Sequence, residues 1–149
     1  MMIPTAEAGR SILRETLRSG RFCITAELTP PVSTDPAVLL AAVRPLQGAV
    51  HAVNLTDGPG ANPRMSSIAA AALLLRSGIE PVVQMACRDR NRLGLQGDAI
   101  GAAALGIRNV LVLRGDDPAR GSQPGAKPVF DLDTRGLLAT LAAIRDEGT

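Results

Sequence analysis

The chain has 149 residues, enough for one domain with a real core, and its 46% apolar and 20% charged residues are ordinary for a globular protein. Two Phe and no Trp or Tyr leave no aromatic platform for bases, and the net charge of +2 rests on scattered arginines with Lys127 as the only lysine, which argues against nucleic acid as a partner. Cys23 and Cys87 without CxxC spacing, and a single histidine, His51, argue against a disulfide framework and a metal site. The N-terminus MMIPTAEAGR lacks an apolar signal region, and the run Ile68 to Leu75 is too short for a bilayer, so no membrane segment and a cytoplasmic location are expected.

A short leader helix, Ile12 to Arg18, is expected within residues 1–21, and a (βα)4 unit within 22–149. The first strand is FCITAEL (Phe22 to Leu28), followed by a helix capped by Thr34-Asp35-Pro36 that ends before Gly48. VHAVNLT (Val50 to Thr56) is the second strand, and Asn62-Pro63 opens a helix ending at Gly78. EPVVQMA (Glu80 to Ala86) is the third, with Asp89 capping a helix that ends at Gly106. NVLVLR (Asn109 to Arg114) is the fourth, with Asp133-Thr134 starting a helix that ends near Gly148. The strand starts fall about 28–30 residues apart, the length of one βα unit.

These strands are nearly continuous in apolar residues, the pattern of a parallel sheet covered on its faces. An open doubly wound sheet and half of a (βα)8 barrel both accommodate them. AELTPP stands where a dinucleotide-binding GxGxxG would follow the first strand. Two prolines also make LTPP a poor phosphate loop for a flavodoxin-like domain.

In α/β folds chemistry sits at the carboxyl ends of the strands. Those ends deliver Glu27 and Pro30-Pro31; Asn54, Thr56 and Asp57-Gly58; Gln84, Cys87, Arg88 and Asp89; and Arg114, Gly115, Asp116 and Asp117. A lone Asp in such a loop is most often a cap, and Arg114 beside Asp116 is compatible with a plain ion pair. Glu27 differs: a carboxylate inside Ile-Thr-Ala-Glu-Leu is expected to be buried, and so paired or functional. Cys87, with no histidine in its segment, reads as a core residue.

The segments FCITAELTPP, AVNLTDGP, VVQMACRDRNRLGLQGDAIGAAALGIRNVLVLRGDDP and KPVFDLD resemble, in order, the N-terminal half of the methylenetetrahydrofolate reductases. That family consists of flavin-dependent (βα)8 barrels of one-carbon metabolism. The resemblance implies FAD at the top of the barrel, with NADH or NADPH as electron donor, and reduction of 5,10-methylenetetrahydrofolate to 5-methyltetrahydrofolate toward methionine. It assigns Glu27 to protonation of the folate, a task that suits a carboxyl whose pKa is raised by burial. It places Asp116 near the flavin N1/C2 carbonyl side and the pterin, and Arg114 and Gly115 at polar and backbone FAD contacts. Thr56, Gln84 and Asp131 match further cofactor contacts, although Gln84 stands where some members carry histidine. Family members have eight βα units and four are present here. A second copy or another polypeptide is therefore expected to supply the remaining strands, beside an open apolar interior face and free edges on strands one and four. A non-catalytic flavin- or folate-binding half-domain, or a subunit completing a partner's barrel, is the alternative.

Overall fold

The computed structural model describes residues 10–147. Among them the order is α1 (Ile12–Arg18), β1 (Thr25–Leu28), α2 (Pro36–Val43), β2 (Ala52–Leu55), α3 (Ser67–Arg76), β3 (Pro81–Ala86), α4 (Arg92–Ala104), β4 (Asn109–Leu113) and α5 (Thr134–Glu147). The strands form one parallel sheet in the order β1-β2-β3-β4, with the helices between them, which is half of a (βα)8 barrel. Gly148, where the sequence reading ends the last helix, and the leader residues 1–9 lie outside the described residues.

Residues paired across parallel strands share a face, because side chains alternate along each strand. Leu28, Leu55, Val83 and Val110 therefore form one row, and Glu27, Asn54, Val82 and Asn109 the next. The first face carries the core. Leu39 and Val43 of α2 and Ala70, Ala71 and Leu74 of α3 pack there on Val53, Leu55 and Val83. Leu95 of α4 and Leu137 of α5 pack on Met85 and Cys87. Full burial of each such Leu is worth about 1.5–3 kcal/mol, so this layer holds the helices to the sheet.

The uncovered interior face expected of a half-barrel is present, and it is polar in part. The core helices sit on one side only, and the other face bears Glu27, Asn54 and Gln84 among its aliphatics. Only β3 is buried throughout, and the edge strands are not: on β4, Val110 and Leu111 are 37% and 42% exposed. One-sided helices also exclude the doubly wound alternative.

At the amino ends of the strands, buried Glu80 anchors α1. Its carboxylate accepts from Ser11 Oγ (2.6 Å), from the Ile12 N–H and from Asn109 Nδ2 (2.7 Å), placing negative charge at the helix N-terminus. The strands are shorter by a residue or more than the sequence reading has them, and larger differences fall at α3, α4 and β1. α3 starts at Ser67 rather than at Asn62-Pro63, because Pro59–Ala61 forms a 3-10 turn and Asn62 is occupied in holding it. Asn91, not Asp89, caps α4, accepting from Gly94 N at 3.0 Å. β1 begins at Thr25, leaving Phe22 85% exposed.

Candidate active site

Glu27 lies one residue before the end of β1 on the open face, opposite Asn54. It is exposed, contrary to the burial expected from its sequence, because no helix covers that side of the sheet. The pairing is present: Gln84 Nε2, two residues beyond Val82 on β3, donates to Glu27 Oε2 at 2.9 Å. Among the described residues Glu27 Oε1 has no hydrogen-bond partner.

Just past β2, the buried Thr56 hydroxyl bonds to Thr29 Oγ1 at 3.2 Å, tying the first two strand ends together. Asp57 Oδ2 accepts from Ala86 N (2.9 Å) and from Arg90, whose Nη1 reaches Asp98 (2.8 Å). Burial alone would lower the Arg90 pKa, but Asp57 and Asp98 outweigh it and raise it. Buried Arg88 forms a fork with Asp89 (2.8 and 2.7 Å), which raises its pKa, and its Nη1 donates to Gly58 O at 3.2 Å. Through Gly58 O and Asp57, these two arginines lock the ends of β2 and β3 together. Cys87 is fully buried and its thiol is pushed up by that burial and by Asp133, so it is not a ready nucleophile.

The RGDDP turn after β4 distributes its charges to separate tasks. Arg114 makes no ion pair with Asp116; its guanidinium lies over the Phe130 ring, 4.3 Å from the centroid. Gly115 has φ +92°, and a Cβ there would lie 2.8 Å from Arg88 Cβ and 3.2 Å from Ala86 Cβ. Its missing side chain thus serves the close approach of β4 to the end of β3. Asp116 Oδ2 accepts from Gly60 N at 2.7 Å, and Asp117 caps the turn Pro118–Arg120 through Ala119 N at 3.0 Å. Asp131 stands apart in role, accepting from Arg92 N (2.7 Å) at the first residue of α4.

Glu27 and Gln84 are therefore joined directly, with Thr56, Arg114, Gly115 and Asp116 at the same carboxyl rim, while Asp131 is committed to a helix end. Sequence reasoning missed Phe130 and Gly60. Phe130, one of two aromatics in the chain and held at φ +44°, carried the only available signal. Gly60 looked like any loop glycine. The residues suit a planar, polar-edged cofactor on one observation: Arg114 is braced on a ring, and among the described residues no acceptor takes its N–H groups. Also among the described residues, no group of three or more His, Cys, Asp or Glu is placed to hold a metal, and no helix is long and apolar enough to cross a membrane.

Four parallel βα units with polar side chains at the carboxyl ends of the strands define a domain of the (βα)8-barrel class, in half-barrel form. The family model for methylenetetrahydrofolate reductase matches residues 12–139, and the chain belongs to that family, an oxidoreductase-like family of folate one-carbon chemistry. No curated protein matches the chain.

Proposed function

We propose that this domain takes part in the flavin-dependent reduction of 5,10-methylenetetrahydrofolate to 5-methyltetrahydrofolate, with FAD bound at the carboxyl rim. The observation that carries the reading is the Glu27–Gln84 pair on the uncovered face, inside the segment matched by the family model. A bound flavin, reduced by NADH or NADPH, would supply the hydride. The chain's own residues supply positioning and a proton. Gln84 Nε2 fixes Glu27 Oε2, so the partnerless Oε1 is the atom that hands a proton to the folate amine and opens its five-membered ring. A ligand laid over this open face would exclude water from the proton-transfer site. Arg114, held over Phe130, offers donors to the polar edge of the flavin, and Asp116 keeps Oδ1 for the ligand while Oδ2 accepts from Gly60 N. Thr56 and Asp131 already hold Thr29 and Arg92, so what they offer the cofactor is their remaining acceptor capacity, at the Thr56 hydroxyl oxygen and at Asp131 Oδ1.

The exposed edges of β1 and β4 are where further strands pair, supplied by a second copy, another polypeptide or a longer chain. Beside β4 a groove of about 520 Å³, lined by Ala102, Ile107, Val110, Leu138 and Leu141, continues the unpartnered surface. This openness also favours a second reading, a half-domain that binds flavin or folate without turning over until completed. Titration with FAD, followed by visible absorption beside a sizing column, tests the proposal. A bound-flavin spectrum on a defined species supports it, and failure to bind in every oligomeric state counts against a flavin site. Glu27→Gln should then abolish folate reduction while flavin binding and flavin reduction persist; loss of flavin binding in that variant would make Glu27 structural.

A further inference from the structure

We infer that Asn62 is a positioning residue for the Asp116 carboxylate, acting through the Gly60 peptide, an inference that rests on the proposed role of the carboxyl rim. Asp116 Oδ2 is held by a single described donor, the Gly60 N–H at 2.7 Å, which leaves Oδ1 for a ligand. That N–H is aimed by a turn the chain adopts unwillingly. Gly58 and Gly60 have φ of +59° and +63°, and Ala61, with a Cβ, sits at +55°. An alanine held in the left-handed region persists only where its surroundings fix it.

Four hydrogen bonds and one close approach fix it. Asn62 Nδ2 donates to Pro59 O (3.3 Å) and Gly60 O (3.1 Å), closing the turn on itself. Asn62 Oδ1 accepts from Ser122 N at 3.1 Å, joining the turn after β2 to the segment after β4. Gly121 lets the two segments touch, since a Cβ there would fall 2.2 Å from Ala61 O, and Arg88 Nη1 holds Gly58 O from below. One amide side chain thus spends both ends on keeping the Gly60 N–H under Asp116. Without it the turn is free to relax toward ordinary dihedrals, and Asp116 loses its donor.

The link is tested in the full-length chain with and without flavin. By NMR of the flavin-free chain, Asn62→Ala should move the Gly60 amide resonance in the same direction as Asp116→Asn does, and the double variant should match Asp116→Asn. An unmoved Gly60 amide in Asn62→Ala overturns the inference whether or not flavin binds. By FAD titration, Asn62→Ala should weaken binding by about tenfold, the loss expected for a misplaced charge-assisted hydrogen bond, and should add nothing in the Asp116→Asn background. Additive effects would mean that Asn62 is merely structural and would overturn the inference. Absence of FAD binding by the unmodified chain sinks the functional reading alone, and the amide comparison still decides the link. Asn62→Ser, which also lacks the reach to both carbonyls, serves if the alanine variant does not fold.

Discussion

Replacing Gly115 by alanine should destabilise the chain by about 3 kcal/mol, although it adds one methyl group. Two costs combine. A side chain at φ +92° costs about 1–2 kcal/mol. The new Cβ would also stand 2.8 Å from Arg88 Cβ and 3.2 Å from Ala86 Cβ, and overpacking of that kind costs about 1–3 kcal/mol. Neither neighbour can move away easily. Ala86 is buried in the central strand, and Arg88 is held by Asp89 and Gly58 O. The matched control is Gly97→Ala in α4, where a Cβ meets nothing within 4 Å and alanine is the better helix former, so a gain of about 0.5–1 kcal/mol is expected. Urea unfolding of the three chains reads both signs. At about 3 °C per kcal/mol the melting temperatures should separate by some 10 °C or more. Gly115→Ala within ~0.5 kcal/mol of the unmodified chain, the range of ordinary surface changes, would refute the claim that Gly115 is required by the approach of β4 to β3.

Asp57→Ala should cost about 2–3 kcal/mol in urea unfolding: it strands a largely buried Arg90 and the Ala86 N–H, while Asp98 still partners the guanidinium and limits the loss. Glu80→Ala should cost about 2–4 kcal/mol and strip hydrogen-exchange protection from α1, because its carboxylate is the anchor of that helix's first turn. For Cys87, whose thiol is raised by burial and by Asp133, the folded chain holds the proton after the unfolded chain has released it. The stability this gives is complete below the ordinary value of 9.0 and is lost as pH rises beyond it. The urea midpoint should therefore fall more steeply above pH 9.0 in the unmodified chain than in Cys87→Ala. A thiol reagent at neutral pH should label half-buried Cys23 well before Cys87.

Much of this protein was written locally. Apolar runs spaced at one βα unit, and caps such as Asp35 on Ala37 N and Asp133 on Gly136 N, specify strands and helices through interactions within a few residues, so they were legible in the sequence. The same holds for the positive-φ glycines Gly48, Gly78 and Gly106 that stop the helices. The carboxyl-end rule then named Glu27, Thr56, Gln84, Arg114 and Asp116 as rim residues, because a parallel sheet sends all its strand ends one way. What the chain could not state by itself was which donor meets which acceptor across long separations. Glu27 meets Gln84, Gly60 meets Asp116, and Arg92 N takes Asp131, over 57, 56 and 39 residues. Those pairings depend on register and loop path. The exposure of Glu27 was decided at the same level: alternation assigns it a face, but only the placing of the core helices on the opposite side leaves that face open to solvent. Local sequence set the elements, since caps, turns and periodicity act over a few residues, and tertiary packing decided which carboxylates are helix caps and which stand ready for a ligand.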